Sequence, residues 1–125
     1  MTLDAKQLET LAKIRVIAKV LDVDPDWAAG VAMVESALGK HQLSPTGAKG
    51  VFQMTSIAMR DLLTGMEKSD DDLADIACGI LFLRLLLKRW KTIDEATAHF
   101  CDPQDRGFYI GRMNRYMKEL KEVMA

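Results

Sequence analysis

Apolar residues along this chain recur at the spacing of helices, not of strands. Leu11, Ile14, Ala18 and Leu21 form one stripe and predict a first helix over roughly residues 4–21. Asp24-Pro25 reads as an N-cap followed by proline at the first helical position. Trp27, Val31, Val34 and Leu38 line the helix that follows, which Gly39 can end. Residues 39–50 hold three glycines and one proline with no helical period, and read as a loop. Thr55 or Ser56 can cap a short helix ending near Gly65. Ser69 and Asp70 precede a long helix with Leu73, Ile76, Ile80, Leu83 and Leu87 on one stripe. It is apolar nearly all round from 76 to 87, the pattern expected of a buried central helix. Thr92 and Glu95 make a capping box for another short helix. Pro103 and Gly107 bound a break, and Tyr109, Met113, Tyr116, Leu120 and Val123 share one side of a last helix. The pattern predicts an all-α domain of about six helices with loops around a cleft.

Composition narrows the function classes without choosing one. A chain of 125 residues is expected to form one domain, 1–125, with a single core. Its net charge of −1 and the lack of an evident recognition helix argue against nucleic acid as a partner. Basic residues do gather late, in Lys88, Arg89 and Lys91 and in Arg106, Arg112, Arg115, Lys118 and Lys121. Interleaved with Glu119 and Glu122, they read as a solvated helix face. Cys78 and Cys101 are too few for a disulfide framework, and Cys78 in its apolar run reads as a small buried hydrophobe. His41, Cys78, His99 and Cys101 offer only a bare H-x-C spacing at residues 99–101, so no metal is expected. The N-terminal MTLDAKQLETLAKIRV carries acids and no apolar core ahead of a cleavage site, and does not read as a secretory signal. The longest nearly apolar run, Ile76 to Leu87, is twelve residues and contains Arg84, too short to span a bilayer.

The densest information lies between Val34 and Thr55, VESALGKHQLSPTGAKGVFQMT. Glu35 falls on the edge of the apolar stripe of its helix, where a carboxylate can face a cleft and be partly desolvated. A glutamate in that position is most often a plain surface residue, so the argument needs its surroundings. Ser36 follows directly, Ser44 lies nine residues on and Gln53 eighteen, with Pro45, Gly47, Ala48 and Gly50 between. Gly47 and Gly50 permit positive φ or close backbone approach, and Pro45 fixes φ entering the turn. The segment resembles the Glu-Ser … Ser-Pro-x-Gly-Ala-x-Gly-(apolar)-x-Gln signature of the soluble lytic transglycosylases, relatives of goose-type lysozyme, at eight positions. Looser similarity continues through Asp75–Leu83, Ala96–Pro103 and Tyr109–Tyr116, so the resemblance spans about residues 23–116.

The resemblance implies a lysozyme-like fold and cleavage of peptidoglycan glycan strands. Glu35 would be the single acid and base, forming a 1,6-anhydro sugar without consuming water. It further implies a substrate-binding set of Ser44, Gln53, Thr55, His99, Phe100 and Tyr109, with Ser44 helping to hold the glutamate and Gln53 contacting sugar. Ser36 is expected to support the helix end. No metal or organic cofactor is implied. A monomer is expected, and delivery to the wall would fall to a phage particle, a holin, a secretion machine or a larger parent protein. One departure matters: the family's Tyr-Asn pair, whose hydroxyl lies by the glutamate, is replaced by Phe100-Cys101. His99, Tyr109 or Tyr116 remain as substitute donors. Asp102 or Asp105 facing Glu35 would instead favour a lysozyme-type hydrolase. A degenerate glycan-binding or structural domain also remains open.

Overall fold

The computed structural model describes residues 1–42, 50–54, 72–101 and 106–123. It is all-α among those residues, with five helices: α1 (Ala5–Val20), α2 (Pro25–Ser36), α3 (Leu73–Trp90), α4 (Ile93–Phe100) and α5 (Arg106–Lys121). The short helix expected between Thr55 and Gly65 lies outside the described residues, as do the expected caps Ser69 and Asp70.

Local chemistry sets the helix ends. Asp4 and Gln7 close a reciprocal capping box at the start of α1. The Asp24 carboxylate accepts from Asp26 N and Trp27 N, with Pro25 in the first turn where a missing N–H costs nothing. Thr92 Oγ1 accepts from Glu95 N at the start of α4. α2 stops earlier than Gly39, because Ala37 already turns left-handed at φ 51°.

The core joins these pieces. Trp27, Val31, Leu11, Ile14, Ile76, Ile80, Leu83, Met113 and Leu120 are fully buried. α2 packs along α5 and also against α1, while α3 packs on α1 and α4. Trp27 Nε1 donates to Thr97 Oγ1 at 2.9 Å, and that hydroxyl donates to Ile93 O, so a buried polar link ties α2 to α4. Arg15 of α1 reaches the end of α5, donating to Leu120 O at 2.6 Å and Val123 O at 2.8 Å. Leu120 O also accepts from Val123 N at 3.0 Å, so the guanidinium clamps the turn that ends the helix. Lys13 Nζ meets Asp72 at 2.9 Å and fixes the start of α3 on α1.

α3 is not the fully enclosed helix its apolar run suggested. Leu85 is 56% exposed, and Arg84, Lys88 and Arg89 face solvent. Ile76, Cys78, Gly79, Ile80 and Leu83 are its buried positions. At Gly79 the buried Phe52 ring presses onto the helix, filling the space a Cβ would need. This contact seats segment 50–54 on α3. Gly79→Ala should therefore cost a net ~1–2 kcal/mol, overpacking outweighing alanine's better helix propensity. Urea denaturation should show a lower midpoint at an unchanged slope; an equal or higher midpoint would refute the close approach.

Candidate active site

Glu35 stands in the last turn of α2, half-buried, and its Oε2 accepts a hydrogen bond from the Tyr109 hydroxyl at 2.7 Å. Tyr109 is buried in the first turn of α5, so the bond joins the end of one helix to the start of another. Two opposing influences act on the carboxyl. Burial raises its pKa above the ordinary 4.5, and the Tyr109 bond pulls it partly back by favouring the charged form. A carboxylate near a helix C-terminus also meets the negative end of the helix dipole, which adds to the upward push. The Tyr109 phenol is driven well up, by its burial first and by the neighbouring Glu35 charge second. It stays a donor at any physiological pH.

The chain just after Glu35 is held in a costly conformation. Ala37 and Leu38 take φ 51° and 56°, followed by Gly39 at φ 85°. Non-glycine residues in the left-handed region cost ~1–3 kcal/mol each and persist only where their surroundings fix them. Three contacts do so here. Gln7 Nε2 of α1 donates to Ala37 O at 2.9 Å. Gly39 N donates to Ser36 Oγ at 2.9 Å. Leu38 is fully buried in the core.

Ser36 also fastens the second half of the site. Its hydroxyl lies 2.6 Å from Val51 O and 3.3 Å from Ala32 O; the shorter contact takes the proton. Val51 N in turn donates to Asp75 Oδ2 of α3 at 2.9 Å. Gly50 adopts φ 88°, and the Asp75 carboxylate fills the space a Cβ would need there. Gly50 N and Gln53 Nε2 both donate to Gln42 O, at 3.1 and 2.8 Å, and Gln53 Nε2 also donates to Gly50 O at 2.8 Å. Segment 50–54 is thus anchored to the end of α2, to α3 and to Gln42.

The residues singled out from the sequence separate into groups. Glu35 and Tyr109 are in direct contact. The Gln53 carboxamide nitrogen is engaged with loop carbonyls, although the family resemblance assigns it a sugar contact. Phe100 packs its ring on Phe82, centroids 5.6 Å apart. His99 is exposed and stacks flat on Trp90 at 3.6 Å. Ser44, Thr55, Asp102 and Asp105 lie outside the described residues. Of the three substitute donors open in the sequence, the hydroxyl on Glu35 is Tyr109's; Tyr116 meets Arg112 instead. Asp75, which opens the Asp75–Leu83 stretch of looser similarity, holds the loop through its carboxylate, and Gln42 holds it through a main-chain carbonyl that no residue type announces.

Comparison with known proteins gives a family. A family model described as the transglycosylase SLT domain matches residues 13–101. No curated protein and no solved structure gives a significant match. No helix among the described residues is long and apolar enough to cross a membrane.

Two outcomes follow from the electrostatics. Tyr109→Phe keeps the ring and removes the donor, so the Glu35 pKa should rise further, read by NMR titration of the carboxyl; a fall would contradict the bond's direction of action. The raised folded value also links to stability. Below 4.5 Glu35 is protonated in both folded and unfolded chains and costs nothing. As pH rises through the folded value the unfolded chain has already ionised, so stability is lost and stays lost at neutral pH. Glu35→Gln should therefore melt higher than wild type at pH 7, with the gap closing in acid. A lower melting temperature at pH 7 would count against a desolvated carboxyl.

Proposed function

The chain belongs to the transglycosylase SLT domain family, whose activity is directed at the peptidoglycan of the bacterial cell wall, and we propose that Glu35 is its single acid and base. The bond broken is the β-1,4 link between N-acetylmuramic acid and N-acetylglucosamine. The protonated carboxyl gives its proton to the leaving glycosidic oxygen as the C1–O bond breaks. The resulting carboxylate then takes the proton from the C6 hydroxyl of the same muramyl residue as that oxygen bonds to C1. Glu35 ends protonated, the product is a 1,6-anhydro sugar, and no water enters. The nucleophile is part of the substrate, so proximity replaces a second protein group.

The observation that carries this reading is the environment of one carboxyl. An acid that must later act as a base works best when neither form is strongly favoured near the working pH. Burial favours the protonated form of Glu35, and the Tyr109 bond favours the charged form. Tyr109 thereby provides the hydroxyl that Phe100 lacks. Ser44, Gln53, Thr55, His99 and Phe100 complete the proposed set as glycan-contacting residues. The engaged nitrogen of Gln53 leaves its carboxamide oxygen as the atom for sugar.

Digestion of purified peptidoglycan, with products read by mass spectrometry, tests the reading. Wild type should release muropeptides lighter by one water than hydrolysis products. Glu35→Gln should lower the rate by at least about 100-fold. Hydrated reducing ends would make the protein a hydrolase, and undiminished turnover by Glu35→Gln would remove Glu35 from the chemistry.

A further inference from the structure

The helix that brings Tyr109 to Glu35 has a second edge, half-buried at Arg112 and Tyr116 and open to solvent at Phe108 and Arg115. Residues 106–121 carry five cationic side chains against the single carboxylate of Glu119, although the whole chain has net charge −1. Phe108 is 73% exposed, unusual for a phenylalanine in a small domain. Arg112 lies over both the Phe108 and Tyr116 rings, 5.7 Å from each centroid, and Arg115 lies 5.1 Å from the centroid of Tyr116. Phe108, Arg112 and Tyr116 follow at intervals of four residues, so they form one continuous row. Arg115 has a loose contact with Glu119 at 4.0 Å, and among the described residues Arg112 has no carboxylate partner.

The row adjoins the candidate active site. Arg112 follows Tyr109 by one turn, about 4.5 Å along the axis and about 60° around it. Its charge reaches the Tyr109 phenol and acts to lower its pKa, against the stronger effect of burial. The Tyr116 phenol is also lowered, chiefly by its hydrogen bond from Arg112 and further by Arg115. A field that favours a phenolate favours any oxyanion placed there.

We propose that this edge of α5, made of Phe108, Arg112, Arg115 and Tyr116, binds the carboxylate-bearing peptide stem of the muramyl residue at the cleaved bond. The inference rests on reading Glu35 as the point of cleavage. Charge complementarity selects the occupant: the stem carries several carboxylates, a muramyl residue stripped of its stem keeps only that of its lactyl group, and guanidinium forks pair with carboxylates in two parallel bonds. The exposed ring of Phe108 covers the apolar part of the stem. The edge would then make the protein select stem-bearing strands over stripped ones.

The test measures binding of intact strands to the Glu35→Gln protein, using stem-bearing strands and strands stripped of peptide by an amidase. Stem-bearing strands should bind about tenfold tighter, and added salt should narrow the difference. Adding Arg112→Gln and Arg115→Gln should bring the ratio close to one. Adding Lys19→Gln on α1 and Lys121→Gln on another side of α5, which removes the same charge away from the row, should preserve it. Equal binding of both strand types, or a ratio that survives loss of both arginines, overturns the proposal. Turnover of the same strands by wild type is read separately. A stem preference without turnover supports this edge as a docking site and removes the catalytic reading of Glu35; turnover without a stem preference does the reverse.

Discussion

The hydrogen bond between Tyr109 and Glu35 joins residues 74 apart in sequence, and it forms only if α2 and α5 meet in one register. Much of the remaining architecture serves that register. The Trp27–Thr97 bond fixes α2 against α4, the helix that leads into α5. Arg15 holds the far end of α5 through its last carbonyls, so the helix is restrained where Tyr109 sits and again at its opposite end. Met113 and Leu120, buried on the same side as Tyr109, fill the interval between. A slip of one residue along α5 would turn Tyr109 by about 100° away from the carboxyl.

The same logic explains why unfavourable backbone is concentrated next to Glu35. A helix that simply continued past Ser36 would carry the chain away from segment 50–54. Turning left-handed at Ala37 and Leu38 brings Ser36 Oγ within reach of both Gly39 N and Val51 O. The conformational cost is offset by burial of Leu38 and by the Gln7 bond from α1. Gln7 thus acts twice, capping its own helix through its side-chain oxygen and holding the strained turn through its nitrogen. The N-terminal helix lies far from Glu35 in sequence and still contributes directly to its placement.

What was readable from the sequence follows from how local each cause is. Helix starts at Asp24-Pro25 and at Thr92 depend on residues within one turn, and they stand where the pattern put them. The glycine at 50 was legible as a special backbone position because its positive φ is a local property, while the Asp75 carboxylate that crowds it was not. The enclosed central helix was misread because periodicity reports which residues are apolar and not which of them a neighbour covers; Leu85 is apolar and mostly exposed. The donor to Glu35 was narrowed to three residues and no further, since the choice among His99, Tyr109 and Tyr116 is made by helix packing. His99 went to the Trp90 ring and Tyr116 to Arg112, each a partner within nine residues of it in sequence. Asp75 accepts from Val51 N, 24 residues away, and Gln42 acts through its main-chain carbonyl, which every residue type carries.

At Phe100 the ring that packs and the hydroxyl that meets Glu35 come from different residues. A hydroxyl near the carboxyl matters for its proton, and the ring that carries it matters for packing. In this chain the two duties are divided. Phe100 packs on Phe82 from α4, and the donor arrives from α5 on a buried tyrosine whose own proton is held firmly. Moving the donor to α5 has a consequence for recognition. α5 also carries the arginine row, so the residue that donates to Glu35 and the row share one helix. A substrate held at that edge would therefore present its scissile bond to a carboxyl whose proton affinity is set by the same helix.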